Sequence, residues 1–256
     1  MPNIEVLLSG LSVGTDQTRL GLSTVALIRG TQNILVDVAH MGRRENLLAA
    51  LESHHIAPED IHIVVLTHSH WDHATNIDLF PKARFFIHPA EMEYARDPRK
   101  GDWATPRYFT AIMQGLKVVE VKEGMEVAPG VRIVDTPGHT KGHISVLVET
   151  HEGPVVLAGD AFSDAGCLTR GQPALVFWSV RQSKESIRRM LDLSQVVYPG
   201  HDRPFRLVNG RPQYLSDAPA SIEISGLMGE DRGGFRVLVY PQPPVRPGWV
   251  LPEAQD

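Results

Sequence analysis

The sequence predicts an α/β fold built as a four-layer αββα sandwich, and three observations carry that prediction. Strand-like and helix-like segments occur twice in similar order, a run of strands and then one or two helices in each half, which suits two sheets packed face to face with helices outside. IHIVVLT is an almost continuous apolar run, as a strand covered on both faces reads. Polar residues stand where such runs stop, most densely in THSHWDHATN at residues 67–76.

In chain order, NIEVLLSG, STVALIRG and NILVDVA are short, β-branched and bounded by Gly, Asn or Ser, as strands are. GRRENLLAALESHHI follows, with Leu47, Leu48 and Leu51 on one side of a helix of about three turns. IHIVVLT is the next strand and ends directly at the histidine cluster. RFFIH is strand-like, HPAEMEYA has proline at a helix start, and KVVEVKEG, VRIVDTPG, ISVLVET and PVVLAGD are further strands. SKESIRRMLDLS reads as a helix opened at Ser183, with Glu185 in its first turn. VVYPG closes the series, and residues 1–208 are assigned to one domain. PFRLVNGRPQ, GEDRGGF and YPQPPVRPGW are rich in Pro and Gly, so 209–256 is assigned as an extension of the same domain, an edge strand or arm. Within it FRVLVYPQ adds an edge strand, pairs with a second copy of the chain in a homodimer, or stays a loosely packed tail.

Composition narrows the function classes. With 42% hydrophobic and 21% charged residues, the 256-residue chain has the balance of a folded globular protein and enough length for a large core. A net charge of −5 argues against a broad nucleic-acid footprint. MPNIEVLLSG has no charged segment leading into a long apolar stretch, and no run approaches bilayer-spanning length, so the expected location is cytoplasmic and off the membrane. The one cysteine, Cys167, cannot form an internal disulfide and reads as a small buried apolar residue.

The crowding of His68, His70, Asp72 and His73 has a chemical reason. His68 and His70, two apart at the end of an extended segment, can turn both imidazoles to one side and share an ion. Asp72 and His73 follow as the chain turns, which suits a second ion close by. Four donors cannot complete two sites, so further donors are required at later strand ends. His139 after VRIVDTPG, Asp160 after PVVLAG and His201 after VVYPG meet that requirement.

H-x-H-x-D-H followed by a strand-end His, a strand-end Asp and a strand-end His resembles the metallo-β-lactamase superfamily over roughly residues 4–208. The resemblance implies the αββα sandwich. It also implies that His68, His70 and His139 bind a first metal, that Asp72, His73 and His201 bind a second, and that Asp160 bridges them. Aspartate at the bridging position is similar to the hydrolase branch that includes glyoxalase II and lactonases. HPAEMEYA and GMEVAPGVRIVDTPGHTKGHISVLVET resemble N-acyl-homoserine lactonases. NIEVLLSG, ILVDVAHMGRRENLLAALESHHIAPEDI and YPGHDRPFRLV resemble the family of metallo-β-lactamase domain-containing protein 1, whose animal members are associated with RNA processing. Two departures stand out: the tyrosine that the lactonase resemblance implies just after the bridging aspartate is missing, Asp160 being followed by Ala161, Phe162 and Ser163, and the superfamily's D-T-G is Asp37, Val38, Ala39.

Imidazoles and carboxylates suit two zinc ions per chain first, with iron, manganese or cobalt also compatible. The expected enzyme is a dinuclear hydrolase whose metal-bridged hydroxide attacks a lactone or carboxylic ester, with Asp72 as the catalytic residue that steers it and carries a proton to the leaving group. A phosphodiesterase or ribonuclease of the same fold, and a low-turnover metal-bound sensor, are the alternatives. Trp71, Phe109, Phe162, Phe177 and Trp178 are candidates for the wall that binds the small-molecule substrate, with Trp103 in the same long connection as Phe109. Asp37, Asp135 and His143 are candidates for orienting the donors, and Gly138 and Gly200 for tight turns beside them. His40 reads as a loop histidine, and Lys141, Arg170 and Arg181 as solvated surface.

Overall fold

Alternating burial assigns each strand to two layers at once. In the strand Val25–Arg29, Val25 and Leu27 join one apolar cluster while Ala26 and Ile28 join another, as side chains two apart share a face. The computed structural model describes residues 1–216 and 248–256. Its first sheet has six strands in chain order: β1 (Asn3–Leu8), β2 (Val25–Arg29), β3 (Asn33–Val36), β4 (Ile63–Val65), β5 (Arg84–Ile87) and β6 (Lys117–Glu120). The second contains β7 (Glu126–Ala128), β8 (Val131–Asp135), β9 (Ile144–Thr150) and β10 (Gly153–Gly159). A two-stranded ribbon joins β11 (Leu175–Val176) to β15 (Trp249–Val250), and β12 (Val196–Pro199), β13 (Phe205–Val208) and β14 (Arg211–Tyr214) complete the second sheet in the order β14-β13-β12-β10-β9-β8-β7.

The helices are α1 (Arg44–Ser53), α2 (Trp71–Ala74), α3 (Pro89–Arg96), α4 (Phe109–Met113), α5 (Cys167–Arg170) and α6 (Val180–Leu193). Leu47 and Leu51 of α1, Ala95 of α3 and Phe109 of α4 cover the outer face of the first sheet. Ile28, Ile34, Ile63 and Phe86 meet Ile133, Ile144, Val146 and Val148 between the sheets. Ile187 and Met190 of α6 cover Val156, Ala158 and Val197 on the outer face of the second. These three apolar layers make the four-layer αββα sandwich. Each buried Leu, Ile or Phe contributes about 1.5–3 kcal/mol to it.

One sequence expectation needs correction. Helix α6 begins at Val180 rather than Ser183, because the Ser179 side chain accepts the Gln182 N–H at 3.0 Å and caps the first turn. Ser183 lies inside the helix, its hydroxyl donating to the Ser179 carbonyl at 2.8 Å. The extension from residue 209 is divided. Its start continues the second sheet as β14, Trp249–Val250 pairs in parallel with β11, and FRVLVYPQ lies outside the described residues. Among the described residues no helix is long and apolar enough to cross a membrane.

The topology positions the site. Strands β3, β4, β5 and β6 run parallel, as do β10 and β12, so their carboxyl ends open on one rim. Asp37 follows β3, the segment Thr67–His73 follows β4, His139 follows β8, Asp160 follows β10 and His201 follows β12. Open α/β sheets gather ligands at such ends.

Candidate metal centre

Three overlapping groups of donor atoms able to hold a metal ion lie on that rim: His68, His70 and His139; His68, His73 and Asp160; and Asp72, His73 and His201, with the atoms of each group within 4.8 Å of one another. Asp160 faces both ends of the array. Its Oδ2 is 3.5 Å from His139 Nε2, while its Oδ1 is 3.4 Å from His73 Nε2 and 3.3 Å from His201 Nε2. Asp72 Oδ2 lies 3.3 Å from His201 Nε2.

Each imidazole is fixed through its other nitrogen, which decides where its lone pair points. His73 Nδ1 donates to Asp37 Oδ2 at 2.7 Å, His139 Nδ1 to the Leu175 carbonyl at 2.8 Å, and His201 Nδ1 to the Leu22 carbonyl at 3.0 Å. His68 Nδ1 donates to Thr67 Oγ1 at 2.9 Å, and that hydroxyl donates onward to Asp37 Oδ2 at 2.8 Å. His70 is turned the other way, its Nε2 facing Asp102 Oδ2 at 3.5 Å and its Nδ1 lying 3.0 Å from His139 Nε2. Lone pairs therefore converge within the three overlapping groups. The buried Nε2 of His68 and Oδ1 of Asp160 find no hydrogen-bond partner, an arrangement that costs about 1–3 kcal/mol for each polar atom unless a cation satisfies it. The donor set thus fits a pair of divalent ions.

Charge divides the array into unlike halves. Burial, helped by His73 and His70, holds His68 well below its ordinary pKa, and burial lowers His139 to about 4. Burial also opposes the charged form of His201, but Asp160 and Asp72 outweigh it and raise its pKa to about 10. His73 is raised in the same way, Asp160 and Asp37 outweighing its burial. His68 and His139 are thus held neutral, while His73 and His201, beside Asp72 and Asp160, are where protons compete with a cation.

Neighbouring groups hold this geometry. His143 is not among the donors; its Nε2 accepts the backbone N–H groups of Asp160 at 3.0 Å and Ala161 at 3.2 Å. Gly200 is required by space rather than by backbone angle, since a Cβ there would sit 2.0 Å from Asp160 Oδ1. Gly138 has φ +134°, and its missing Cβ leaves room for Ser183. Ala39 and Asp37 take left-handed angles of 57° and 59°, so the turn keeps that conformation without a glycine. Asp135 takes no part; its carboxylate faces His88 at 3.8 Å.

The predicted substrate wall is only partly assembled from its candidates. Phe177 reaches the donors, its ring centroid 4.8 Å from that of His70 and 5.5 Å from that of His139. Trp71 packs against His40 at 4.9 Å, beneath Gly21. Trp178 lies between Arg99 at 4.3 Å and Lys141 at 5.6 Å, beside Tyr94 rather than against the donors. Phe109 and Phe162 turn elsewhere: Phe109 of α4 is buried in the core against the first sheet, and Phe162 packs on Phe205 at 5.8 Å inside the layer under α6. A strand-end or loop position does not reveal whether an aromatic ring turns inward. Trp103 lies 5.7 Å from Phe177, and Trp249 of the extension 5.2 Å from it. Lys141, Arg170 and Arg181 pair with Glu93, Asp164 and Glu185. Burial raises the Cys167 thiol to about 11, leaving it inert.

Comparison with known proteins agrees with this architecture. Metallo-β-lactamase domain-containing protein 1 of Xenopus laevis is 34% identical over 209 residues, 80% of this chain and 82% of that protein. N-acyl homoserine lactonase of a Bacillus species is 29% identical over 198 residues, 74% of this chain and 75% of that one. The crystal structure of a Bacillus thuringiensis AiiA variant, with N-decanoyl-L-homoserine at its active site, shares the fold with a TM-score of 0.63 at 21% identity, covering 78% of this chain and 92% of that chain. The metallo-β-lactamase superfamily model matches residues 18–201, the span from the loop below Trp71 to the last donor, and the chain belongs to that superfamily.

Proposed function

We propose that this protein is a dinuclear metal-dependent hydrolase that opens a lactone or cleaves another carboxylic ester, with zinc as the first choice of metal. The observation that carries this is the split of Asp160, one oxygen toward each half of the donor array. Two divalent ions, when bound, lower the pKa of water toward neutrality and polarise a carbonyl oxygen.

The chain's own residues supply the rest. Asp160 reaches both halves, and the role proposed for Asp72, beside His201, is to steer the nucleophile and relay a proton to the departing alkoxide. Phe177, Trp103 and Trp249 form an apolar side that suits an acyl group. Among the described residues, Cys167 is buried with a raised pKa and the Ser69 hydroxyl is tied to Glu91 at 2.7 Å, so neither offers itself as a nucleophile. The likeness to N-acyl homoserine lactonase supports the lactone as substrate class.

The test is steady-state turnover by the zinc-loaded protein of an N-acyl homoserine lactone series beside bis-p-nitrophenyl phosphate. Lactone hydrolysis well above phosphodiester cleavage is expected. Phosphodiester cleavage alone would replace the ester reading with a phosphodiesterase or ribonuclease, and silence toward both with metal bound would replace it with a sensor.

A further inference from the structure

Glu91 is a fully buried acid on α3 that belongs to no donor group, and it is saturated with hydrogen bonds from two separate loops. Its Oε1 accepts from the Ser69 N–H at 2.9 Å and the Ser69 hydroxyl at 2.7 Å. Its Oε2 accepts from the Thr140 hydroxyl at 2.8 Å and the Gly142 N–H at 2.9 Å. Ser69 stands between His68 and His70, and Thr140 follows His139. One carboxylate therefore ties together the two loops that carry the all-histidine half. Gly142 permits the approach, since a Cβ there would come within 2.1 Å of the Glu91 backbone nitrogen.

We propose that Glu91 is the positioning residue of the His68, His70 and His139 site, setting the spacing of its two loops without touching the ion, and that the Asp72, His73 and His201 site does not depend on it. This rests on the dinuclear reading above. Acceptor-only chemistry is what the position demands. A carboxylate meets four donors, whereas a glutamine would turn its NH2 toward the backbone N–H of Ser69 or of Gly142 whichever way it flips, and neither of those can rotate away as a hydroxyl can. A buried donor facing a donor pushes the loops apart.

The experiment is metal titration of the full chain with Co(II) and Zn(II), following visible absorption and chelator competition, in wild type and Glu91→Gln, with His139→Ala and His201→Ala as references for loss at one half or the other. Groups that orient metal ligands typically affect affinity by about 10–100-fold. Glu91→Gln is expected to weaken one of two cobalt sites by that factor and to give the spectrum of His139→Ala, while the other site keeps its wild-type affinity. Thr140→Val, which deletes one of the four bonds and leaves the fold's packing in place, is expected to shift the same site by a smaller factor. Two sites of wild-type affinity in Glu91→Gln, equal weakening of both, or loss resembling His201→Ala overturns the proposal, and if Glu91→Gln does not fold, an unshifted Thr140→Val does so. A wild-type chain that takes up fewer than two ions overturns the dinuclear reading itself, a separate outcome.

Discussion

Asp37 Oδ2 lies 2.7 Å from Nδ1 of His73 and also accepts the Thr67 hydroxyl at 2.8 Å, so one buried carboxylate fixes a donor and the start of the loop that carries three others. Its second oxygen accepts the Thr67 N–H at 2.8 Å. Asparagine in its place keeps the size but turns an NH2 toward either the Thr67 N–H or the His73 ring. In the second case the imidazole must move its proton to Nε2, the atom that faces the array. Asp37→Asn is expected to lower metal affinity about 10–100-fold in a chelator competition, with the Asp72, His73 and His201 half affected more.

Asp160→Ala removes the group common to both halves. Metal content of the purified variant is expected to fall from two ions toward none, with affinity down at least about 100-fold at both positions, the upper end of what peripheral orienting groups produce. Asp72→Ala should spare the all-histidine half. Retention of one tightly held ion by Asp160→Ala would falsify the bridging role.

Trp249→Ala tests the wall without touching a donor. Because the ring is partly exposed beside Phe177, its loss should leave stability and metal content near wild type. Losing part of an apolar contact worth about 1.5–3 kcal/mol should raise KM for a long-chain acyl lactone about tenfold and leave a short-chain ester within a few-fold. Equal effects on both chain lengths would remove the wall from the account.

The metal-free protein should show a stability maximum near pH 6.5. Burial holds His139 at about 4, below its ordinary 6.5, so the unfolded chain binds more protons between those values and stability falls as pH drops through that window. His201, raised to about 10 by Asp160 and Asp72 against its own burial, binds more protons when folded, so its contribution is complete below 6.5 and is lost as pH rises toward 10. Thermal melts of chelator-stripped protein across pH 4–10 check both limbs. Zinc-loaded protein should lose the alkaline limb, since a coordinated imidazole carries no proton to give up.

The fold was legible because central strands are apolar on both faces, as in Val25–Arg29 and Ile63–Val65, and because polar residues stand where those strands end. The donor set was legible for the same reason: His68 to His73, His139, Asp160 and His201 are polar where apolar runs stop. Glu91 and Asp102 were not. Their partners are backbone N–H groups, hydroxyls and a single ring nitrogen, and an acid on a short helix or in a loop normally marks a solvated face. Glu91 reaches residues 22 and 51 positions away, a relation without periodicity. Phe109 and Phe162 were misread because a loop-flanked aromatic carries no mark of the direction its ring takes.

The parallel pairing of Leu175–Val176 with Trp249–Val250 brings Trp249 beside Phe177 from a stretch of chain downstream of every donor. Under the proposed function, reactivity and selectivity would be encoded in separable pieces of sequence. Changes around Trp249 can redraw which molecules enter while the ionic machinery stays as it is, so divergence among relatives is expected to concentrate there.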